Sequence, residues 1–238
     1  MRSKWLIAVP ILLLILALCA LIVLVGVFAF TGSSLSSIHG LGANFRAEES
    51  ITESFPVTSP AVLDIDNSFG WIHITAGDVD EITMEARKIV YSFSKADAEA
   101  ELENLEIITT LADNKLTIDV PMDDLPSRAG FVKRLEVEFT ITVPMETSVI
   151  VNSDFGEVSL VGSSGSADIT AGFGSIDVRD LNGSLTISNQ NGSTTISNIR
   201  ADSEKLQVNS SFGDINVNGA EAGSIYLKSN NGSISLED

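Results

Sequence analysis

Few residues in this chain of 238 have the chemistry of a catalyst or a metal ligand. The only histidines are His39 and His73, and no nucleophile-elbow sequence of the kind that positions a catalytic serine accompanies either. His73 stands between Ile72 and Ile74 in an alternating segment, where polar side chains face solvent. We therefore predict no catalytic residue, no cofactor and no metal ligand, and a protein that is not an enzyme.

The carboxylates offer one enzymatic alternative. We assign Asp177 and Asp214 to one position of the repeat described below, two copies apart, and stacked copies would then place them roughly 10 Å from each other. Inverting glycosidases separate their carboxyl groups by about 6.5–9.5 Å, so a carbohydrate-active enzyme is the second alternative to our reading. A solvated acidic face is the ordinary interpretation in a chain with this charge.

Calcium binding is a further alternative, at one of two acidic pairs: Asp64/Asp66 or Asp123/Asp124.

Trp71 is the one residue whose type and position suggest a contact surface. It follows a turn glycine, where other copies of the repeat carry Ser, Glu or Asp. Two interpretations are open. The indole covers the junction between the first copy and the middle of the chain, or it provides a stacking surface for a sugar or a protein partner.

A repeat positions these residues and dominates the last third of the chain. Six segments follow the pattern U-x-U-x-x-x-x-G-x-U-x-U, where U is almost always apolar, and the last five glycines are 18, 18, 21 and 19 residues apart. Turns of this kind need a residue that tolerates positive φ. The structural turn glycines predicted from this pattern are Gly70, Gly156, Gly174, Gly192, Gly213 and Gly232.

Two short strands per copy cannot bury their apolar residues alone, whereas stacked copies can. We therefore predict a mainly β fold, a β-solenoid-like stack of rungs about 4.8 Å apart. A meander of hairpins packed as a sandwich is the alternative, but it does not require one turn chemistry at one position. Stacking would align the residues before the glycines into aromatic and Asn ladders: Phe69, Phe155, Phe173 and Phe212, with Asn191 and Asn231.

The N-terminal segment predicts a single transmembrane helix. Trp5 to Phe30 contains no charged residue and is long enough to cross the roughly 30 Å of a bilayer's hydrocarbon core. Arg2 and Lys4 precede it, which places the N-terminus in the cytoplasm and the rest of the chain outside. A cleaved signal peptide is the alternative, although the apolar region is longer than such peptides use. Cys19, the only cysteine, lies within this run, so the outer part has no disulfide.

The charge excludes one class of partner. Beyond the apolar run the chain carries all 32 acidic residues and 12 of the 14 basic ones. Nucleic acid and anionic lipid surfaces require positive patches, so neither is an expected ligand.

The pattern divides the chain into three parts. Residues 1–30 form the cytoplasmic tip and the transmembrane anchor, residues 31–60 a Ser/Gly-rich spacer, and residues 61–238 the β-repeat domain. Within that domain, residues 76–148 are a strand–helix–strand insertion and residues 149–238 the regular repeats. The helix is predicted from Ser94 as its N-cap with Asp97 three residues later.

Four features together resemble a known family. They are the membrane helix, the unit "DIDNSFGWIHI", a middle segment ending in "FTITVP", and the C-terminal "FGxI" and "NGSI" copies. Over roughly Val57 to Asp238, the chain is similar to the putative-adhesin domain family of bacterial cell-envelope proteins. The resemblance implies a β-solenoid-like fold at the cell surface and no catalytic residues.

These observations predict a membrane-anchored extracytoplasmic β-solenoid, non-enzymatic, for adhesion or interaction at the cell envelope. Its expected partners are the membrane, through the anchor, and an envelope protein or polysaccharide. The first alternative is an accessory, regulatory membrane protein in envelope-stress sensing, which the resemblance implies because some relatives are membrane-anchored accessory proteins encoded beside envelope-stress regulators. The second is the carbohydrate-active enzyme considered above.

Overall fold

The computed structural model of the protein describes residues 45–121 and 132–237. The predicted transmembrane segment at residues 5–30 lies outside these ranges. Within them, no helix combines the length and the apolar character needed to cross a bilayer.

The described residues form one 15-stranded sheet and one helix. The helix α1 is Lys95–Asn104. The strands are β1 Phe45–Pro56, β2 Val62–Phe69, β3 Ile72–Gly77, β4 Glu81–Ser92, β5 Ile108–Ala112, β6 Lys115–Asp119, β7 Val132–Pro144, β8 Ser148–Phe155, β9 Val158–Val161, β10 Ala167–Phe173, β11 Ile176–Arg179, β12 Leu185–Asn191, β13 Thr194–Phe212, β14 Ile215–Asn231 and β15 Ile234–Glu237.

The repeats stack as parallel strands in two columns. One column runs β6, β2, β8, β10, β12 and then the second parts of β13 and β14. The other runs β7, β3, β9, β11, then the first parts of β13 and β14, and β15. One strand from each column makes a rung. Ile169 lies beside Val151 on one neighbouring rung and beside Ile187 on the other. The predicted mainly β, solenoid-like stack is confirmed.

The core lies between the two columns. Because successive residues of a strand point to opposite faces, every second residue of a rung points inward. Most of these residues are apolar, and the polar ones are buried as well: Asn67, Ser153, Asn189 and Thr194. From the rung of β2 and β3 to that of β12 and β13, the apolar ones are almost fully buried: Leu63, Ile65, Ile72, Ile74, Val149, Val151, Val158, Leu160, Ile169, Ile176, Val178, Leu185, Ile187 and Ile196.

The middle of the chain closes one end of the stack, and its spatial order departs from its sequence order. The strands β6 and β7 add a rung beside β2 and β3, so the first repeat lies second in the stack. Next to that rung the pairing becomes antiparallel, in the β5–β6 hairpin and in the sheet of β7, β4 and β1. The helix α1 packs against β1 and β4. Its N-cap is Ser94, whose Oγ accepts a hydrogen bond from the Asp97 N–H at 3.1 Å, as predicted.

The strand β1 requires a correction to the predicted spacer of residues 31–60. Residues 45–56 are not a linker but pair with β4 along their whole length. The sequence pattern missed this strand because it lies at the sheet edge and most of its side chains face water. Only Ala47 and Phe55 of this strand pack against the core, so no alternation is visible.

Candidate functional site

A corner at each turn glycine joins the two strands of a rung. All six predicted turn glycines have φ between 120° and 159°. A β-carbon on Gly156 would lie 2.0 Å from the carbonyl oxygen of Gly70, one rung away, which is inside van der Waals contact. The Gly156 N–H donates to the carbonyl of Phe173 on the next rung at 2.9 Å. Only glycine fits this corner, and its bonds hold neighbouring corners in register.

Buried side chains brace the corner from inside. The Asn67 side-chain amide donates to the carbonyl of Val137 at 2.9 Å, and the Asn189 amide donates to the carbonyls of Gly174 and Gly192 at 3.2 Å. Both asparagines are buried. Because buried carbonyls need donors, these amides fix the path of the chain at the two corners where they lie.

Phe69, Phe155 and Phe173 form a continuous aromatic stack on the outer side of the corner, which we call the Phe ladder. The ring centroids of Phe69 and Phe155 are 5.1 Å apart with an angle of 2° between the planes, and those of Phe155 and Phe173 are 4.9 Å apart at 3°. The rings are 40%, 45% and 48% exposed, respectively. Asn191 occupies the next rung, followed by Phe212. The ladder is therefore an apolar stripe three rungs long on the surface.

The ring faces of the ladder largely cover one another. Parallel rings about 5 Å apart leave little space for a third group between them, so solvent reaches mainly their edges. Only the two end faces, on Phe69 and Phe173, are free of another ladder ring. The ladder thus offers an apolar edge rather than a series of open aromatic faces.

Acidic side chains lie on β2 and β8, the strands that lead into Phe69 and Phe155, and on the neighbouring strand β6. We call Asp66, Asp119 and Asp154 the acidic row. Burial raises the pKa of Asp66 above its ordinary value of 3.8, and the nearby carboxylates of Asp119, Asp154 and Asp64 raise it further. Asp64, one of the residues considered for calcium, instead pairs with the Lys115 ammonium at 2.7 Å. The row is a concentration of negative charge beside an apolar stripe.

Trp71 lies on the other side of the same corner, at the junction of the first repeat with β7. The indole is partly exposed and stacks on the imidazole of His73, with ring centroids 4.2 Å apart. The backbone carbonyl of Trp71 accepts from the Phe139 N–H on β7 at 2.9 Å. His73 Nε2 lies 3.6 Å from Glu157 Oε1 on the next rung. The structure thus places Trp71 and His73 in one surface cluster, and Glu157 adds an acid to this flank.

The carboxylate pair considered for catalysis is not a pair in the structure. Asp177 is aligned with Thr195, and Thr195 with Asn216, so Asp214 lies at a different repeat position. The Asp177 carboxylate accepts a hydrogen bond from Arg179 Nε at 2.8 Å, and Asp214 Oδ1 accepts one from the Ser233 N–H at 2.7 Å. Stacking them at one position was wrong because Asp214 directly follows its glycine, whereas Asp177 is three residues beyond its own. Within the described parts of the chain, no three His, Cys, Asp or Glu residues are placed to hold a metal ion.

The sequence pattern favours Trp71 as the contact residue and predicts a structural role for the phenylalanines. The signal for the ladder was nevertheless visible, because Phe precedes Gly in four of the six copies. What the sequence did not show was the acidic row, because Asp119 comes to Asp66 from a strand about fifty residues away.

Comparison with known proteins places the chain in a family. A family model described as Toastrack DUF4097 matches residues 63–238. No curated protein sequence matches the chain. Among solved structures, it is similar to a "putative cell adhesion protein" from Clostridium sporogenes, with 14% identity and a TM-score of 0.48, over 79% of this chain and 99% of that one. It is also similar to a "putative adhesin" from Bacteroides fragilis, with 16% identity and a TM-score of 0.31, over 79% and 97% of the two chains.

The family model spans three of the four features that carry the resemblance noted in the sequence: the first repeat, the middle segment and the C-terminal copies. That resemblance is confirmed, and the chain belongs to the Toastrack DUF4097 family.

Proposed function

We propose that the protein is a non-enzymatic interaction domain of the cell envelope, anchored by its N-terminal segment and held on the outer side of the membrane. Its role is adhesion to, or docking of, an envelope protein or polysaccharide. The observation that carries the proposal is the Phe ladder, an exposed apolar stripe on a framework whose corners are tied rung to rung. Exposed apolar stripes of this kind mark interaction surfaces.

Substitution of the middle ring tests the role of the ladder. Phe155→Asn removes both ring contacts, and Asn occupies the same turn position on other rungs, at Asn191 and Asn231. Phe212→Asn is the matched control, because it makes the same exchange outside the ladder. The full chain in lipid nanodiscs is sedimented with insoluble cell-wall material and, separately, crosslinked to envelope proteins. We expect Phe155→Asn to reduce retention and Phe212→Asn to leave it unchanged. Equal retention of both variants and the unmodified chain would contradict the proposal.

The outward topology is tested by labelling on intact cells. Cys19 is the only natural cysteine and lies in the apolar run, so a cysteine introduced by Ser235→Cys in the repeat domain is a specific reporter. We expect a membrane-impermeant maleimide to label it on intact cells. Labelling only after the cells are lysed would show that the domain lies inside.

A further inference from the structure

We propose that the Phe ladder and the acidic row form a docking surface for a cationic amphipathic helix of a partner protein. This inference rests on the proposed function and names the partner chemistry for the same surface. The occupant carries one stripe of apolar side chains, with Lys or Arg on both sides of that stripe.

The spacing of the ladder favours a helix over an extended strand. The ring centroids are 5.1 and 4.9 Å apart along the stack. A helix lying along the ladder advances about 5.4 Å per turn, so apolar residues at i, i+4 and i+7 would meet one ring each. Same-side residues of an extended segment are about 6.6–6.8 Å apart and would leave register within two rungs.

The exposed ring edges favour apolar side chains over sugars. A sugar stacks on the face of an aromatic ring, and neighbouring rings largely cover the faces within the ladder. Aliphatic side chains need no open face and can pack against the exposed ring edges, as in other cases where an amphipathic helix binds an apolar surface.

The charges around the middle ring select a cationic occupant. Asp154 directly precedes Phe155, and Glu157 follows it on the other side of the corner. The acidic row adds Asp66 and Asp119. Burial raises the pKa of Asp66, and the nearby carboxylate of Asp119 raises it further. Lys115 pairs with Asp64, and among the described residues no basic side chain forms an ion pair with the row. Lys or Arg side chains flanking an apolar stripe would meet acids on both sides and relieve their mutual repulsion.

The test measures binding of a synthetic probe to the full chain in nanodiscs of zwitterionic lipid, with empty nanodiscs as the blank. The probe is a fluorescent 18-residue helix with Leu along one stripe and Lys on both flanks. A scrambled peptide of equal composition and a Glu-for-Lys peptide are the controls. Fluorescence anisotropy gives the Kd at low and high salt. We expect the Leu/Lys helix to bind, and both control peptides to bind at least about tenfold more weakly.

Variants of the protein locate the probe on the ladder. Phe155→Asn should weaken binding about tenfold, because it removes the central ring, whereas Phe212→Asn should change the Kd by less than about twofold. Asn191→Phe should tighten binding severalfold, because it joins Phe173 to Phe212 in one five-ring stripe. The double variant Asp66→Asn/Asp154→Asn should weaken binding and flatten its dependence on salt. Circular dichroism of each variant checks that the fold is retained.

Two results would overturn the inference. One is equal affinity for the amphipathic and scrambled peptides, and the other is a Kd unchanged by Phe155→Asn. If cell-wall polysaccharide binds in a manner that depends on Phe155 while the peptide does not, the helix partner is wrong and the proposed function stands. If neither ligand depends on Phe155, both are wrong.

Discussion

A β-carbon built on Gly174 would lie 1.8 Å from the carbonyl oxygen of Gly156 on the neighbouring rung. The same contact recurs at every turn glycine described above, each meeting a backbone carbonyl one rung away at 2.1 Å or less. The obstacle is backbone of that rung, and both glycines are held by hydrogen bonds from their N–H groups, so neither strand can move aside without breaking the corner. The distance between adjacent rungs, and hence between adjacent ladder rings, depends on this missing side chain.

Gly174→Ala should therefore destabilise the fold strongly. The substitution combines a clash with backbone and a φ of 145°, and we expect a loss of about 2–4 kcal/mol in the free energy of unfolding. Gly77→Ala is the control, since a β-carbon added to Gly77 would have no other atom within 4 Å, and it should change stability by less than about 0.5 kcal/mol. Urea unfolding measures both. Similar losses in the two variants would show that the rung contact is not the cause.

The ring contact between Phe155 and Phe173 should appear as a coupling energy. Stacked aromatic pairs contribute about 0.5–1.5 kcal/mol beyond the area they bury, and these rings are partly exposed, so we expect the lower part of that range. A double-mutant cycle with Phe155→Ala and Phe173→Ala measures the coupling. A second cycle combines Phe155→Ala with Phe212→Ala. Because Phe212 lies beyond Phe173 and Asn191 in the stack, its coupling energy with Phe155 should be near zero. Equal couplings in both cycles would argue against direct ring stacking.

Lys88 should contribute to the stability of the fold mainly through its hydrogen bonds at the end of α1 and less through its ion pair. The side chain is only 8% exposed, and its ammonium donates to the carbonyls of Leu105 and Leu102 at 3.2 and 3.5 Å. Lys88→Met removes these donors and should cost about 1–3 kcal/mol in the free energy of unfolding.

Glu49 is the ion-pair partner of Lys88, and its side chain is half exposed. Glu49→Gln should therefore cost less than about 1 kcal/mol in the same unfolding experiment. If both variants lose equal stability, the ion pair rather than the helix end accounts for the effect.

Asp66 should make the fold less stable as the pH rises. Its pKa is raised in the folded state, so the folded chain holds this proton more tightly than the unfolded chain. The stabilising contribution is complete below the ordinary value of 3.8 and is lost as the pH rises through the higher folded value. Asp66→Asn should therefore be more stable than the unmodified chain at pH 7, with a difference that closes toward pH 3.

Salt distinguishes the two causes of the Asp66 shift. Added sodium chloride screens the repulsion from Asp119, Asp154 and Asp64 but not the burial of the carboxyl group. Because burial is the larger cause, 1 M salt should reduce the gain of Asp66→Asn at pH 7 without abolishing it. If Asp66→Asn stabilised the fold as much at pH 3 as at pH 7, the raised pKa of Asp66 would not be the cause of the gain.

Part of the fold follows from local sequence patterns. The β5–β6 hairpin turns at Asp113 and Asn114, residue types that favour tight turns, and both have the positive φ that such a turn requires. The strict alternation of residues 134–143 indicates a strand, and β7 extends over Val132–Pro144. Such features depend on a few consecutive residues, so a single sequence contains the information.

Other parts depend on contacts between distant segments. The edge strand β1 was missed because its pairing with β4, rather than its own side chains, makes it a strand. The Asp177/Asp214 pair was misplaced for another reason: the two residues stand at different distances after their glycines, and a shift of two residues within a copy changes every partner across the rungs. The candidate site also depends on contacts between distant segments, since the acidic row draws on strands β6, β2 and β8.

The sequence by itself determined that glycine turns recur, that alternate residues point inward and that copies must stack, because each follows from local geometry and apolar burial. Only the tertiary structure decided which copies are neighbours, since that choice depends on register between segments far apart in the chain. It placed β6 and β7 ahead of the first repeat and set three phenylalanines face to face. The surface we propose for binding is a product of that register.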